Sequence, residues 1–269
     1  MTDFSSVKDK VAVVTGAADG LGMAISLCYA ENGMKVVVSD INVEKGMKVV
    51  EDIKSKGGEA SFFKADVSKE EDVKGLVDFA VETYGRLDGL VNNAGIAAEN
   101  RPTHEYSTQE FDKLLSIDLK GVFMGMKFAA QAILKSKSSS GFIINVASLA
   151  GILGNSSMAI YSSAKHGVIG LTKSAALDYA QYNITVNAVC PGTFRTSVWG
   201  QAPEEVINEY AKIFSPSGRL GDPKEVGHLA LFLASDLARY ISGTAISIDA
   251  GSSAGKITPS RWSNPEILD

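Results

Sequence analysis

Short β-branched runs alternate with amphipathic stretches along this chain. The first run, "VAVVT" at 11–15, is apolar at all but its last position, the mark of a strand buried on both faces. Gly16, Gly20 and Gly22 follow it, and Met23, Ala24, Leu27, Cys28 and Ala30 then suit a helix packed closely on a sheet. "MKVVVSD" is a second buried strand, ending at Asp40. The alternation continues. Apolar runs predict strands in 59–66, 89–95, 141–148, 184–192 and 245–251. Helical periodicity covers 43–56, 69–84, 108–136, 159–181, 203–214 and 223–235. Buried strands interleaved with helices predict an α/β fold: one Rossmann-type doubly wound parallel sheet of about seven strands, with helices on both faces. No linker divides the chain. Residues 1–251 read as one dinucleotide-binding catalytic domain, and 252–269, which carry no periodicity, as a C-terminal extension.

Composition narrows the function classes. The 269 residues are 45% hydrophobic, enough for one large core, and the net charge is −5. Positive and negative residues are mixed, so no basic stripe points to nucleic acid or an anionic membrane. The opening "MTDFSSVKDK" lacks the layout of a signal peptide, and no apolar run is long enough to span a bilayer. Cys28 and Cys190 lie in apolar segments and read as buried thiols of a reducing compartment, with a cytoplasmic location as the default. His104, His166 and His228 match no metal spacing.

The glycines of "TGAADGLG" sit where a strand gives way to a helix. There glycine permits a sharp turn and close approach of a diphosphate, whose charge the helix N-terminus favours. Alone, such a cluster also fits a tight turn with close helix packing. Asp40 adds to it, at about the ~20-residue offset of a carboxylate that receives ribose hydroxyls. That carboxylate would repel a 2′-phosphate. Asp19 adds a second negative charge, and neither Ile41 nor Asn42 brings a compensating cation. The expected cofactor is therefore NAD(H).

"YSSAK" at 161–165 places Tyr161 and Lys165 on one helical face. A nearby ammonium favours the phenolate, which makes a phenol a usable proton donor and acceptor. Ser148 follows a strand, at the sheet edge where such folds bind ligands, and its hydroxyl can hydrogen-bond a carbonyl or alcohol oxygen. With a nicotinamide beside them, these groups suit alcohol–ketone interconversion.

With these pieces in place, the chain resembles the short-chain dehydrogenase/reductase family over nearly its whole length. The matching segments are "TGAADGLG", "ADV" at 65–67, "NNAG" at 92–95, "NVAS" at 145–148, "YSSAK", "CPGTFRT" at 190–196 and "ISIDAG" at 246–251. The resemblance implies that Tyr161 is the acid/base, that Lys165 tunes it and holds ribose hydroxyls, and that Ser148 positions the substrate oxygen. It implies a cofactor site of Gly16, Asp19, Gly20, Leu21, Gly22, Asp40 and Ile41 at the diphosphate and adenosine end. Asp66 and Val67 would flank adenine, and Asn92 and Ala94 would border the ribose. Pro191 and Gly192 would also belong to the cofactor site, and the Phe194 backbone and Thr196 would meet the carboxamide side. The chain departs from the family in "SIDLKGVF", where Asp118 stands in place of an asparagine that helps hold a proton-relaying water. Asp118 is either a neutral exchange or a charge that alters the pH profile.

The implied substrate pocket involves Ile96, Leu149, Ala150 and Ser156, with Trp199 as an apolar lid or a locally packed loop aromatic. A mainly small or apolar mouth suits a hydrophobic, cyclic alcohol or ketone such as a hydroxysteroid. A 3-oxoacyl-thioester reductase and a non-catalytic dinucleotide-binding sensor or scaffold are the alternatives. The resemblance also implies a homotetramer, built partly on the apolar faces of the 108–136 and 159–181 helices. Trp262 is expected to pack locally.

Overall fold

A computed structural model describes residues 4–136 and 140–255 of the chain. Seven strands form one fully parallel sheet in the order β3-β2-β1-β4-β5-β6-β7. The first half contains β1 (Val11–Thr15), α1 (Gly20–Glu31), β2 (Lys35–Asp40), α2 (Val43–Ser55), β3 (Glu59–Lys64) and α3 (Glu70–Tyr84). The second contains β4 (Gly89–Asn92), α4 (Thr108–Leu115), α5 (Gly121–Lys135), β5 (Gly141–Val146), α6 (Ala159–Tyr179), β6 (Ile184–Pro191), α7 (Glu204–Phe214), α8 (Pro223–Ala234) and β7 (Ala245–Ile248).

Why the strands carry uninterrupted apolar runs is visible in β1. Successive side chains point to opposite faces, and both faces are covered. Ala12 and Val14 join Ile25 and Tyr29 of α1, Val49 of α2 and Val226 of α8 in one core. Val11 and Val13 join Leu76 of α3, Val122 of α5 and Val168 of α6 in the other. A strand between two dry layers has no polar face to show.

The sequence predicts one long helix over 108–136. The structure breaks it into α4 and α5 with a π turn, Ser116–Lys120, between them. A π turn takes up an extra residue and re-aims the helical residues after it. Asp118 lies within it and is fully buried.

A chain of buried amides ties the middle of the sheet to α6. Asn92 of β4 donates to Asn145 Oδ1 of β5 at 2.8 Å, and Asn145 donates to Thr172 Oγ1 of α6 at 2.9 Å. Strand order reverses between β1 and β4, which opens a crevice at their carboxyl ends, the usual ligand position in open α/β sheets. No helix among the described residues is long and apolar enough to cross a membrane. Ser252 closes a turn at the end of the described chain, its Oγ donating to Asp249 O at 2.7 Å. Most of the expected extension, Trp262 included, lies outside the described residues.

Candidate active site

The carboxyl ends of β1 and β4 are laced together. Thr15 Oγ1 accepts from the N–H of Asn93 at 3.0 Å and of Ala94 at 3.1 Å. Asn93 Nδ2 donates to both Thr15 O and Gly16 O at 3.0 Å. Gly16 has φ +62°, and a Cβ there would stand 2.8 Å from Ala94 Cα. A Cβ on Gly22 would stand 2.3 Å from Gly16 O. Both glycines thus serve close packing, and by the same token they bring the N-terminus of α1 to the crevice.

Asp19 caps that helix, accepting from Gly20 N–H at 2.7 Å. The sequence pattern leaves its charge uncompensated. The structure corrects this, because Lys45 of α2 lies 2.7 Å from Asp19 Oδ2. Partial burial works to raise the Asp19 carboxyl, but hydrogen bonds from Lys45, Ser197 and Gly20 outweigh it and hold the group below the usual carboxylate range. Lys45 escapes notice in the sequence because it is in the first turn of the next helix, and only the packing of α2 beside α1 brings it over.

Asp40 ends β2 beside this turn. Its Oδ2 accepts from Ala18 N–H at 3.1 Å and its Oδ1 from Asn42 N–H at 2.9 Å. Ile41 is exposed. Further along the strand edge, hydrogen bonds from Ser68 hold Asp66 below the usual carboxylate range. Val67 packs against the start of α5 at Gly121.

On the other side of the crevice, α6 presents Tyr161 and buries Lys165. Lys165 Nζ donates to Val146 O at 3.3 Å, sits 5.5 Å from the centroid of the Tyr161 ring and lies 3.1 Å from Asp118 Oδ2. Ser148 follows β5 in extended backbone, and its Oγ accepts from Ala150 N–H at 3.1 Å. That bond uses a lone pair and leaves the hydroxyl proton to be donated.

These groups share one cleft of about 690 Å³, within the range of small-molecule sites. Asp19, Gly20 and Leu21 form one end of it, and Asp118, Ser148, Tyr161 and Lys165 line another side. Pro191, Gly192, Phe194 and Thr196 close a third wall, and Ile96 and Trp199 belong to the rim. Trp199 Nε1 donates to Phe194 O at 3.0 Å, and its ring meets Tyr210 of α7 edge-on at 4.9 Å between centroids.

Some predicted residues stand elsewhere. Asn92 does not border the cleft: it is buried in the sheet, bound to Asn145, and its neighbour Asn93 lines the cleft instead. Strand alternation turns consecutive residues to opposite sides, and the resemblance picks the wrong one of two identical letters. Ala150 is buried beneath Ser148, and Ser156 is exposed on its loop; neither forms the cleft wall, and nor does Leu149. Gly16, Gly22 and Ala94 shape the turn from behind. Asp40, Ile41, Asp66 and Val67 lie along the strand edge beyond the enclosed part. Tyr210 and Ser197 are missed by sequence reasoning, since nothing in the spacing of α7 or of the short turn before it signals a shared cavity.

The match to known proteins covers nearly all of this architecture. A family model described as enoyl-(acyl carrier protein) reductase matches residues 16–253. Cyclohexanol dehydrogenase of Acinetobacter sp. (strain SE19) is 42% identical over 241 residues, covering 90% of this chain and 94% of that protein. Diacetyl reductase [(S)-acetoin forming] of Staphylococcus epidermidis is 39% identical over 253 residues, covering 90% of this chain and 98% of the relative. The crystal structure of levodione reductase superposes with a TM-score of 0.85 at 35% identity, over 93% of this chain and 99% of that one.

Proposed function

As this chain belongs to the short-chain dehydrogenase/reductase family and is an alcohol dehydrogenase/ketoreductase, we propose that it interconverts a small hydrophobic cyclic alcohol and its ketone with NAD(H). The observation that carries the reading is the convergence of Ser148, Tyr161 and Lys165 on one cleft whose far end is the glycine turn.

The residues present fit an extended dinucleotide. The cleft runs from the α1 N-terminus, whose partial positive charge favours a diphosphate, to the side chains of Ser148, Tyr161 and Lys165, and Asp40 stands at the adjacent strand end. The nicotinamide, when bound, gives or takes the hydride. In the reducing direction Ser148 donates a hydrogen bond to the ketone oxygen, and Tyr161 passes that oxygen its phenolic proton. In the oxidising direction Tyr161 takes the proton back. The Lys165 ammonium stands beside the ring and favours negative charge on the phenol oxygen. Pro191, Gly192, Phe194 and Thr196 line the wall opposite these groups.

Two observations support NAD(H) over NADP(H). Asp40 has no ion-pair partner within contact among the described residues, and the nearby cation, Lys45, is engaged by Asp19. A 2′-phosphate would meet an unneutralised carboxylate. Cyclohexanol dehydrogenase and the aromatic rim formed by Trp199 and Tyr210 support a six-membered ring as the substrate. A hydroxysteroid is the larger member of the same class. The matched family model, described as an enoyl-(acyl carrier protein) reductase, has a carrier-bound acyl thioester in its description and so favours a second reading on that substrate class, reduction of the 3-keto group of a 3-oxoacyl thioester. Exposed Phe123 and Leu134 on α5 and Leu177 on α6 support assembly with further copies, as the homotetramer requires.

The test is a panel of cyclohexanone, diacetyl, a 3-oxosteroid and a 3-oxoacyl thioester, each with NADH and NADPH. Turnover of the ring ketone with NADH, at a kcat/KM above that of the thioester, is expected. Preference for the thioester with NADPH rejects the reading in favour of the second. NADH binding without turnover of any member rejects it in favour of a dinucleotide sensor or scaffold.

A further inference from the structure

Asp118 does more than fill space behind the reactive lysine. It is fully buried, and its two oxygens face different elements. Oδ1 accepts from Ile96 N–H at 2.8 Å, on the loop that follows β4 and lines the cleft. Oδ2 lies 3.1 Å from Lys165 Nζ, yet no group offers that oxygen an aligned hydrogen bond. The loop backbone also passes close to the carboxylate: a Cβ at Gly95 would stand 2.9 Å from Oδ2. One side chain therefore touches both the substrate loop and the cation beside Tyr161.

The other charged or titratable groups around Lys165 are accounted for. Tyr161 and His166 share its helix, and His166 Nδ1 is turned to Ser162 O at 2.9 Å. Lys120, on the π turn, is exposed. Cys190 of β6 is a buried thiol pushed up to about 11 by burial, so it stays neutral. Beyond it, Asp249 bonds Gly251 N–H and Ser253 N–H. Asp19, at the other end of the cleft, is paired with Lys45. Among the described residues Asp118 is the one carboxylate in contact with Lys165.

We infer that Asp118 is a positioning residue that offsets the field of Lys165 at Tyr161 and ties the 94–96 loop to the same point, so that one carboxylate sets both the pH at which alcohol oxidation begins and the fit of the substrate loop. The inference rests on the alcohol–ketone reading above and deepens it. A lysine alone presents a whole positive charge to the phenol. A lysine with a carboxylate at ion-pair distance presents a dipole, whose field falls off faster. Alcohol oxidation needs the proton-accepting form of Tyr161, and that form is favoured less by the pair than by the lysine alone.

The decisive variant is Asp118→Asn, which removes the charge but keeps an oxygen able to accept from Ile96 N–H. The acid limb of the kcat profile for alcohol oxidation is expected to move to lower pH by about one unit. KM on the plateau is expected to stay within about twofold. Asp118→Ala loses the tether as well, and its KM is expected to rise about tenfold further, with NADH binding unchanged. An Asp118→Asn limb that stays in place or moves to higher pH overturns the charge role. An Asp118→Ala KM equal to that of Asp118→Asn overturns the tether. A substrate-free ultraviolet titration of tyrosinate, read as the difference from Tyr161→Phe, separates this inference from the functional reading. Movement of the Tyr161 signal to lower pH in Asp118→Asn upholds the charge role even if the chain turns over no alcohol; an unmoved signal overturns it.

Discussion

The two walls of the cleft are held in opposite ways. On the wall formed by α6 and the end of β5, Lys165 is 4% exposed, donates to a backbone carbonyl and lies at ion-pair distance from a buried carboxylate. Ser148 is fixed by the N–H two residues on. On the facing wall, Val198 is 88% exposed, and the Trp199 indole keeps its place by one side-chain hydrogen bond and an edge-on ring contact. Buried polar groups must be satisfied in one geometry, whereas aromatic contacts tolerate several. The difference teaches where each kind of information resides. On the proposed reading, the reaction belongs to the sheet edge and α6, and the choice of substrate to a segment that can be repacked without disturbing them.

Substitutions on the two walls are therefore expected to split by kinetic constant. The sharpest is Tyr161→Phe, which keeps the ring and removes the proton carrier. It is expected to lower kcat by ~10²–10⁴-fold while NADH affinity, measured by fluorescence titration, is unchanged. Residual kcat near the parent value would break the comparison, because the reaction would then not be lodged in α6. Gly22→Ala comes next. Its Cβ would stand 2.3 Å from a backbone oxygen that cannot step aside. A loss of about 1–3 kcal/mol in stability, read by denaturant unfolding, is expected, with weaker NADH binding. Trp199→Ala tests the opposite wall: KM for a ring ketone is expected to rise about tenfold, with kcat within threefold of the parent. A collapse of kcat there would show the two walls to be mechanically joined.

The smallest expected effect concerns the exposed Arg219–Glu225 pair behind the facing wall, with 2.8 Å between Nη2 and Oε1. Hydrogen bonds from Arg219 and from the Asp222 N–H hold Glu225 down at about 2, below the ~4.3 of an unfolded glutamate. Its stabilisation is thus present above the unfolded value and is lost as pH falls toward about 2. Solvent screening limits it to under ~1 kcal/mol. Comparing acid unfolding of the parent with Glu225→Gln is expected to give curves that stand apart, though only slightly, above pH ~4.3 and converge as pH falls toward about 2.

Much of the molecule is legible in its sequence, for reasons tied to particular residues. The strands are readable because Val11, Val13, Val36 and Val38 leave no polar face, and a β-branched run flanked by glycines has few other uses. Tyr161 and Lys165 are readable because helical spacing fixes their common face. The π turn is not. Its residues, Ser116–Lys120, continue an ordinary helical pattern, and the extra residue is accommodated only through contacts with α6 and the 94–96 loop. The pairing of Asp19 with Lys45 and the entry of Tyr210 into the cleft depend likewise on how separate helices are set side by side, which no local pattern records. Asn92 and Asn93 show the finest grain. The motif names both, and only the pleat of β4 tells which side chain enters the sheet and which enters the crevice.

The amide chain from Asn92 through Asn145 to Thr172 bears on α6 in one further respect. A purely oily seam between helix and sheet would let the helix glide along its axis at little cost, since one aliphatic side chain grips much like the next. A hydrogen-bonded peg has a single seat. Shifting α6 by one residue would strand the Asn145 amide and swing Tyr161 by roughly 100° about the helix axis. The sheet thereby acts as a keyway, indexing the phenol from a lock set about three helical turns away.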